Sequence, residues 1–384
     1  MATIKSFTLF SLNLPFRMKF KHAAAERSSS DSIILKCETG SGVAGFGECL
    51  PRTYVTGENR DHSSALLRGN ILSRLIGREF HRMEDVLFFL STCDGKAPAA
   101  WTPPSIPQTA AWAAVDLALL DTFGKEFNSP VRLNVPFKDL PSFRYSGVCS
   151  AEKSWKQFKT LLRFRLFGFR HVKIKIRPET ALDTLRVSRM ILGKSCDIRV
   201  DANMAWNVLQ AMEGIKLLSR FGVHTFEQPL KPEDTAGMAE LVRQTKMDIM
   251  ADESIHDAES LEQLISAKAC TSVNIRISKC GGLVAAYNRC LRALQAGLTV
   301  QVGSQVGETS LLSSAQLILI SAVGAVTYAE GCFGQHLLLR DPAQPLLQFG
   351  RGGRPPDMPS SSGLGIQINE AILRTYSDSV IKVE

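Results

Sequence analysis

The chain has 384 residues, 45% of them hydrophobic, which is long enough for two or three domains or for one large barrel with additions. No apolar run reaches the roughly 18 residues that cross a bilayer, so we expect no membrane-spanning segment. The formal net charge of +8 is spread along the sequence, whereas a nucleic-acid-binding protein concentrates its basic residues. We therefore expect no nucleic-acid partner. We interpret the positive charge as a weak attraction for acidic substrates.

Two further features indicate a cytoplasmic protein. The N-terminal stretch MATIKSFTLFSLNLPF alternates like a strand and lacks the apolar core and cleavage site of a secretory signal. The nine cysteines are scattered and none forms a CxxC pair. That distribution is typical of reduced thiols and not of a disulfide framework or a zinc site.

The first third of the chain predicts an α+β domain, which we place at residues 1–135. Residues 2–50 contain three strand-like runs, IKSFTLFSL, SIILKCET and VAGFGECL, with the polar stretch KHAAAERSSSD predicted as a loop between the first two. Residues 60–130 are predicted to be mainly helical, and AAWAAVDLALLDTFGKEF at 110–127 is the clearest helix.

From about residue 142, short apolar runs alternate with amphipathic helical stretches. The eight runs are FRYSGVC, HVKIKI, CDIRVD, VHTFEQ, DIMADE, SVNIRIS, LTVQVG and AVTYAE. Short apolar strands separated by helices predict a parallel sheet, and this number of units favours a (β/α) barrel over an open sheet. We place the barrel at 140–338. The segment 339–384 is rich in Pro, Gly and Ser, then returns to a strand and a short helix, and is predicted to pack back on the first domain.

One ionisable residue closes each of five successive predicted strands. The five are Lys175, Asp201, Glu227, Asp252 and Lys279, in steps of 26, 26, 25 and 27 residues. One strand, one helix and two loops take about that length. A single Asp at a strand end is more often a helix N-cap. Five such residues in phase instead place one charge at the same height in each unit, at the mouth where barrel active sites lie.

The types of these residues indicate metal-assisted chemistry. Three carboxylates on adjacent strands raise one another's pKa unless a cation lies among them. Ligation by oxygen alone suits a hard divalent ion, Mg²⁺ first and Mn²⁺ next. Because no His or Cys stands at these positions, zinc is not expected.

Lysines on both sides of such a site suggest proton transfer at two faces of one carbon. In HVKIKI, Lys173 and Lys175 share one strand face because side chains alternate along a strand. Burial and neighbouring positive charge lower the pKa of a lysine from about 10.4, so that it can act as a base. A substrate carboxylate bound to the metal acidifies its α-proton, and the metal and lysines would stabilise the resulting enediolate.

As a set, these motifs resemble the enolase superfamily and, within it, the mandelate racemase/muconate lactonizing enzyme family. PFRMKFKHAAAERSSSDSI and GFGECLPRTYVTGE are similar to the two substrate-covering loops of that family's capping domain. KIK, VDANMAW, FEQPL, ADES and NIRISKCGG are similar to the second to sixth barrel strands. The resemblance covers nearly the whole chain. It implies an α/β fold, a modified (β/α)7β TIM barrel under an α+β capping domain completed by the C-terminal segment, and a homo-oligomer.

The resemblance also implies a role for each matching residue. The expected ligands of Mg²⁺ are Asp201, Glu227 and Asp252. The expected catalytic groups are Lys175 as the base on one face, Lys173 as the group that tunes it or neutralises the enolate, and Lys279 as the acid or base on the other face. The expected supporting residues are Asn203, Glu253 and Asn274, with Glu253 ordering Lys279 or Asn274.

Candidates for substrate contacts lie in the cap and around the barrel mouth. They are Phe20, His22, Tyr54, Gly303, Glu308 and Glu330. Glu308 could instead begin the following helix, where its charge favours the N-terminus. Glu330 stands where dipeptide epimerases carry the first Asp of a DxD motif, and Cys332 stands where they carry the second. Glu330 could therefore pair with a substrate ammonium or orient a lysine.

The expected reaction is removal of the proton α to the carboxylate of a small molecule. Reprotonation from the opposite lysine gives racemisation or epimerisation, which the two lysines favour, on an amino-acid derivative. The alternatives are a muconate-type cycloisomerase and a β-elimination enzyme, such as a dehydratase or an o-succinylbenzoate synthase-like enzyme. A metal-binding barrel without turnover is disfavoured because none of the five charged residues is missing.

Overall fold

The computed structural model describes residues 1–21, 26–133, 140–150 and 154–384. The strands are β1 (Ala2–Leu12), β2 (Leu14–Lys21), β3 (Glu26–Ser30), β4 (Ile33–Thr39), β5 (Ala44–Cys49), β6 (Glu79–Phe80), β7 (Gly147–Cys149), β8 (His171–Lys175), β9 (Asp197–Asp201), β10 (Val223–Glu227), β11 (Asp248–Ala251), β12 (Ser272–Ile275), β13 (Thr299–Val302), β14 (Tyr328–Ala329), β15 (Ala343–Gln344), β16 (Gln367–Ile368) and β17 (Ser377–Val383).

The α-helices are α1 (Thr53–Thr56), α2 (Arg60–Leu66), α3 (Leu72–Leu75), α4 (Met83–Cys93), α5 (Thr109–Glu126), α6 (Ser154–Phe167), α7 (Ala181–Leu192), α8 (Val208–Leu218), α9 (Thr235–Thr245), α10 (Ala258–Ala267), α11 (Ile277–Cys280), α12 (Leu283–Gln295), α13 (Ser310–Val323) and α14 (Glu370–Thr375). A π-helical turn at Leu67–Ile71 joins α2 to α3. Short 3-10 helices lie at Ser219–Phe221, Gly334–His336 and Arg351–Gly353. In these ranges no helix is both long enough and apolar enough to cross a membrane.

The capping domain is built on an antiparallel sheet in the order β17-β1-β4-β5, with β6 also paired to β1. Helix α5 lies across β4 and β5 at very short range. A Cβ atom at Gly45 would stand 2.2 Å from the backbone N of Thr122, and one at Gly47 would stand 2.0 Å from the carbonyl O of Ala114. Any side chain at these two positions would push the helix off the sheet, so both glycines are needed for the core of the cap.

The second domain is a parallel sheet in which β7 to β14 follow one another in chain order. Between strands, the chain returns through α6, α7, α8, α9, α10, α12 and α13. The sheet closes where Tyr145 pairs in parallel with Ala329 of β14, and the backbone N of Ser146 donates to the Ala329 carbonyl at 2.9 Å. After β14 the chain runs back to the cap, where β17 pairs with β1. The predicted (β/α)7β barrel, with a cap completed by the C-terminal segment, is confirmed.

Strand β8 shows how the barrel holds charge inside. Val172 and Ile174 are fully buried on one face of the strand, and Lys173 on the other face is only 2% exposed. Strands of a parallel barrel are covered on both faces, by helices outside and by side chains inside. The face that carries Lys173 and Lys175 is therefore the interior face, because Lys173 contacts side chains from other barrel strands.

Two local predictions need correction. Residues 26–30, predicted as loop, form β3 paired antiparallel with β2. The segment ERSSS contains no apolar residue, so it lacks the apolar alternation by which a strand is recognised in a sequence. The tail contains the predicted strand and helix as β16 and α14, but a further strand, β17, follows them. That strand is largely polar and exposed at the edge of the cap sheet, so its sequence lacks the alternating apolar pattern that predicts a strand. The domain boundaries drawn from the sequence stay predictions.

Candidate active site

The carboxyl ends of three adjacent strands bring charged side chains side by side. Lys175, Asp201 and Glu227 are the last residues of β8, β9 and β10, and the register pairs Lys175 with Asp201 and Asp201 with Glu227. Neighbouring strands lie about 4.8 Å apart, so these residues form one row. Asp252 follows β11 directly. Lys279 lies beyond the end of β12, in the short helix α11, and so does not close a strand as predicted.

Lys175 and Lys279 lie on opposite sides of the barrel mouth. Around the closed sheet, β8 and β12 are separated by β9, β10 and β11 in one direction and by β13, β14 and β7 in the other. Asp201, Glu227 and Asp252 lie at the ends of β9, β10 and β11, the three strands of the first direction. A small molecule held at those carboxylates therefore has one lysine on either side.

Lys173 is surrounded by carboxylates inside the barrel. Its Nζ lies 2.8 Å from Oε2 of Glu330, 3.1 Å from Oε1 of Glu227 and 3.5 Å from Oδ2 of Asp201. Burial alone would lower the pKa of Lys173, but these carboxylates raise it above its ordinary value. The ammonium therefore stays charged across the physiological pH range.

Arg199 completes this ion-pair network from the next strand. It pairs in register with Lys173, is buried, and donates to Oε1 of Glu330 and, at 2.9 Å, to Oγ of Ser146. Although burial favours the neutral acid, Lys173 and Arg199 hold the pKa of Glu330 at about 2. Both oxygens of Glu330 are thus engaged by cations of the protein. Sequence reasoning did not single out Arg199, although it shares the inward parity of Asp201 in CDIRVD.

Asn203 positions both Lys175 and Asp201. Its Oδ1 accepts from Nζ of Lys175 at 3.1 Å, and its backbone N donates to Oδ1 of Asp201 at 3.0 Å. The Asn203 side-chain amide also donates to the same Asp201 oxygen. Nζ of Lys175 also lies 3.5 Å from Oδ2 of Asp201. Asn203 therefore holds the lysine and the carboxylate next to each other.

Lys279 is fully buried and held by three acceptors. Its Nζ donates to the Asp252 carbonyl at 2.6 Å, to Oδ1 of Asp252 at 2.8 Å and to the Asn274 carbonyl at 2.9 Å. Burial, with a smaller effect of Arg276, lowers the pKa of Lys279 to about 7. Arg276 donates to the other oxygen of Asp252 from the residue that precedes α11. Sequence reasoning missed Arg276; its signal was a basic residue directly after an apolar strand.

Amide side chains orient Glu227, which is fully buried. Asn274 donates to its Oε1 at 2.9 Å, and Gln301 donates to its Oε2 at 3.4 Å. Gly303, predicted to lie near the ligand, lies against this support: a Cβ atom there would stand 2.2 Å from Oδ1 of Asn274. The absence of a side chain at Gly303 therefore makes room for the amide that holds Glu227.

Glu253 is a buried carboxylate with incomplete hydrogen bonding to the described residues. Its Oε2 has no hydrogen-bond partner among the residues that the structure describes. Burial, and then the charges of Asp201 and Glu227, raise the pKa of Glu253 to about 7. A neighbouring cation would stabilise its ionised form.

The donor set suits a divalent ion by its chemistry. Among the described residues, no three His, Cys, Asp or Glu side chains converge as a ready metal cluster. Each predicted ligand is instead paired with a lysine or an arginine of the site. The donors are nevertheless buried carboxylate oxygens from three adjacent strands, and the carboxylate of Glu253, whose Oε2 has no partner among the described residues, adds a further buried oxygen. Such oxygen-only sets favour Mg²⁺ or Mn²⁺ over zinc.

A cavity of about 410 Å³ opens beside Lys173 and Lys175, and Tyr54 from the cap lines it with Arg276 and Glu330. Glu308 is turned into the protein. Its Oε1 accepts from the backbone N of Gln305 at 2.6 Å, and burial raises its pKa to about 8. Thr309, and not Glu308, caps helix α13. His22 and the side chain of Phe20 lie outside the described residues.

Sequence comparison identifies two family domains. Residues 5–133 match the mandelate racemase/muconate lactonizing enzyme N-terminal domain, and residues 159–372 match the enolase C-terminal domain-like family. The chain is 28% identical to the N-succinyl-L-Arg/Lys racemase of Bacillus cereus, over 97% of each chain. It is 25% identical to the L-Ala-D/L-Glu epimerase of Clostridium acetobutylicum, over 82% of this chain and 86% of that one. It is 24% identical to muconate cycloisomerase 1 of Rhodococcus opacus, over 95% and 96%.

Solved structures of related proteins share the fold of the whole chain. The crystal structure of the Bacillus cereus N-succinyl Arg/Lys racemase covers 100% of both chains with a TM-score of 0.89 at 26% identity. The muconate lactonizing enzyme of Pseudomonas fluorescens shares the fold with a TM-score of 0.85 at 23% identity, over 98% of this chain and 99% of that one. The family domains together span most of the sequence. The chain belongs to the mandelate racemase/muconate lactonizing enzyme family and is an isomerase of the enolase superfamily.

Proposed function

We propose that the protein is a Mg²⁺-dependent racemase or epimerase that moves a proton at the carbon α to the carboxylate of an amino-acid derivative. The observation that carries this proposal is the position of Lys175 and Lys279 across the barrel mouth, with three carboxylates on the arc between them. Relatives named as a racemase and as dipeptide epimerases support the choice of reaction and of substrate class.

In this proposal Asp201, Glu227 and Asp252 hold the metal, with Mg²⁺ preferred and Mn²⁺ as the substitute. The bound ion would supply Lewis-acid stabilisation of the charge that develops on the substrate carboxylate. Lys173 adds a fixed positive charge beside it. Because its contacts with Glu227 and Glu330 keep it protonated, Lys173 stabilises negative charge and does not compete for the α-proton.

Lys175 and Lys279 would handle the proton on the two faces of the α-carbon. In one direction neutral Lys175 accepts the proton and the Lys279 ammonium donates one to the opposite face; the reverse direction exchanges these roles. Asn203 positions Nζ of Lys175, and the carbonyls of Asp252 and Asn274 position Nζ of Lys279. Both amines are therefore held in place before substrate binds, which reduces the entropic cost of reaching the transition state.

The test is ¹H NMR in D₂O with Mg²⁺, on N-succinyl amino acids and dipeptides of both configurations. Wild-type protein is expected to remove the α-proton signal of either enantiomer of a substrate. Lys175→Ala and Lys279→Ala should each retain exchange with one enantiomer only, and with opposite ones. If either variant exchanged both enantiomers as fast as wild type, the two-lysine mechanism would be wrong.

A muconate-type cycloisomerase is the second candidate, since muconate cycloisomerase 1 aligns with 95% of this chain. It would use the same metal site and stabilise the same kind of enediolate. Consumption of cis,cis-muconate, followed by its ultraviolet absorbance, together with no exchange on any amino-acid derivative, would favour it. The cytoplasmic location and the homo-oligomeric state stay predictions.

A further inference from the structure

We propose that the capping domain positions Lys279 whereas the barrel positions Lys175, so that the contact between cap and barrel sets how fast one substrate enantiomer reacts relative to the other. This inference rests on the proposed racemase or epimerase function, in which each lysine removes the α-proton of one enantiomer. It concerns the short helix α11, which carries Lys279, and the cap residues that contact the chain on both sides of that lysine.

On the N-terminal side of Lys279, the cap contacts the preceding residue. The backbone N of Leu50, directly after β5, donates to Oγ of Ser278 at 2.9 Å, and both residues are fully buried. Ser278 and Lys279 are neighbours in a helix of four residues, so a displacement of Ser278 moves the Lys279 backbone with it. This hydrogen bond therefore fixes α11 to the cap sheet.

On the C-terminal side of Lys279, the chain packs backbone to backbone against Gly95, which lies between α4 and α5. A Cβ atom at Gly95 would stand 2.4 Å from the Cys280 carbonyl O, and one at Gly281 would stand 2.0 Å from the Gly95 carbonyl O. Both glycines also have positive φ angles, of 85° and 88°. Only glycine allows so close an approach in this conformation, and the end of α11 is therefore packed tightly against the cap.

A buried carboxyl group of the cap completes the contact at the start of helix α12. Asp116 of α5 is 1% exposed, and its Oδ1 accepts from the backbone N of Leu283 at 2.7 Å. The backbone N of Val284 also donates to this carboxyl group. Acceptors at a helix N-terminus satisfy N–H groups that have no partner within the helix. A Cβ atom at Gly282 would stand 2.2 Å from Cγ of Asp116, so the carboxyl group lies directly against the turn between α11 and α12.

Lys175 is held in a different way. It is the last residue of a barrel strand, and its Nζ contacts Asn203 and Asp201, which belong to the end of the neighbouring barrel strand. The backbone that carries Lys279 is instead fixed to the cap. Misplacement of a reacting group by about 1 Å can slow an enzyme about 100-fold. Loosening the contact between cap and α11 should therefore slow proton transfer by Lys279 and spare proton transfer by Lys175.

The experiment compares Asp116→Ala with Asp121→Ala. Asp121 is a matched control, because it is also buried on α5 and also accepts backbone N–H groups, which belong to Phe46 of β5 and to Leu364 of the C-terminal segment. Exchange of the α-proton is followed by ¹H NMR in D₂O for each enantiomer of an N-succinyl amino acid or dipeptide, at saturating substrate and Mg²⁺. Lys279→Ala identifies the enantiomer that depends on Lys279. Asp116→Ala should slow that enantiomer at least about fivefold and the other less than about twofold, whereas Asp121→Ala should leave the ratio of the two rates unchanged.

Ser278→Ala is the second variant, because it removes the acceptor of the Leu50 N–H group. It should shift the ratio of the two rates in the same direction, and it replaces Asp116→Ala if that variant does not fold. Equal slowing of both enantiomers, or no slowing of either, would overturn the inference and leave the racemase proposal intact. An equal shift of the ratio in Asp121→Ala would overturn it too, since a general loosening of the cap would then be the cause.

If wild-type protein exchanged neither enantiomer of any substrate, the proposed function would fail, and a second measurement would decide the inference. The backbone amides of Cys280 and Gly282 donate to carbonyls of the preceding turn, so their hydrogen–deuterium exchange reports the order of α11. Faster exchange at these amides in Asp116→Ala than in Asp121→Ala would support the attachment of α11 to the cap. Equal exchange in the two variants would overturn it.

Discussion

Replacing Lys173 with methionine removes the cation from the buried carboxylates that it joins and keeps most of the side-chain volume. Lys173 is 2% exposed, and its Nζ lies within 3.5 Å of oxygens from Glu330, Glu227 and Asp201. Breaking a buried ion pair from one side typically costs about 3–5 kcal/mol, because the remaining charge stays buried without its partner. In the variant Glu330 still accepts from Arg199, and Glu227 still accepts from Asn274. We therefore expect a loss of folding free energy at the lower end of that range, about 3 kcal/mol.

The measurement is the free energy of unfolding from urea titration, with EDTA and with saturating Mg²⁺. If a divalent ion binds the same carboxylates, Mg²⁺ should restore a large part of the loss, because it replaces the missing positive charge. Glu330→Gln supplies the matched partner for a double-mutant cycle. The double variant should be less destabilised than the sum of the single variants, with a coupling of about 1–3 kcal/mol.

A loss below about 1 kcal/mol for Lys173→Met, within the range of an exposed ion pair, would refute the reasoning that this lysine neutralises the carboxylates. A loss of the expected size without rescue by Mg²⁺ would support the ion-pair network but contradict the binding of the metal by these carboxylates. Activity gives an independent readout. The variant should lose turnover even where Mg²⁺ restores the fold, since the fixed charge beside the enediolate is gone.

Three further predictions concern the metal ligands, the support of Glu227 and a buried acid. Glu227→Gln should weaken Mg²⁺ binding at least tenfold in calorimetry, because one charged donor is lost, and unchanged affinity would exclude Glu227 as a ligand. Gly303→Ala should lower the free energy of unfolding by about 1–3 kcal/mol and reduce activity, because its Cβ atom would displace the Asn274 amide, whereas Gly69→Ala, with open space around it, should do neither. Burial raises the pKa of Asp116 from 3.8 to about 7, although the backbone N of Leu283 donates to its carboxylate. The native state therefore holds a proton there that the unfolded chain releases above about pH 4. Wild-type stability relative to Asp116→Asn should fall between pH 4 and 7, by about 1.4 kcal/mol per pKa unit, and a constant difference would contradict the raised pKa.

Much of the barrel was readable from periodicity alone. The period of two in HVKIKI placed Lys173 and Lys175 on one strand face, and the regular spacing of Lys175, Asp201 and Glu227 placed them at strand ends in register. Both follow from backbone geometry, which acts over a few residues and over one strand–helix unit. The same reasoning failed for β3 and β17, because polar edge strands carry little apolar alternation.

Contacts across the barrel were decided only by the tertiary structure. The pairing of Glu330 with Lys173 and Arg199 joins the ends of the barrel sequence, and no local pattern reports which inward side chains meet across a closed sheet. Arg276 on Asp252 and the packing of Gly303 against Asn274 likewise depend on neighbouring strands. The cavity beside Lys173 and Lys175 is lined by residues that are far apart in the sequence, such as Tyr54 of the cap and Thr160 of α6, and only the fold brings them together. Alternation and spacing determine which residues face inward, whereas packing in three dimensions determines what each inward residue touches.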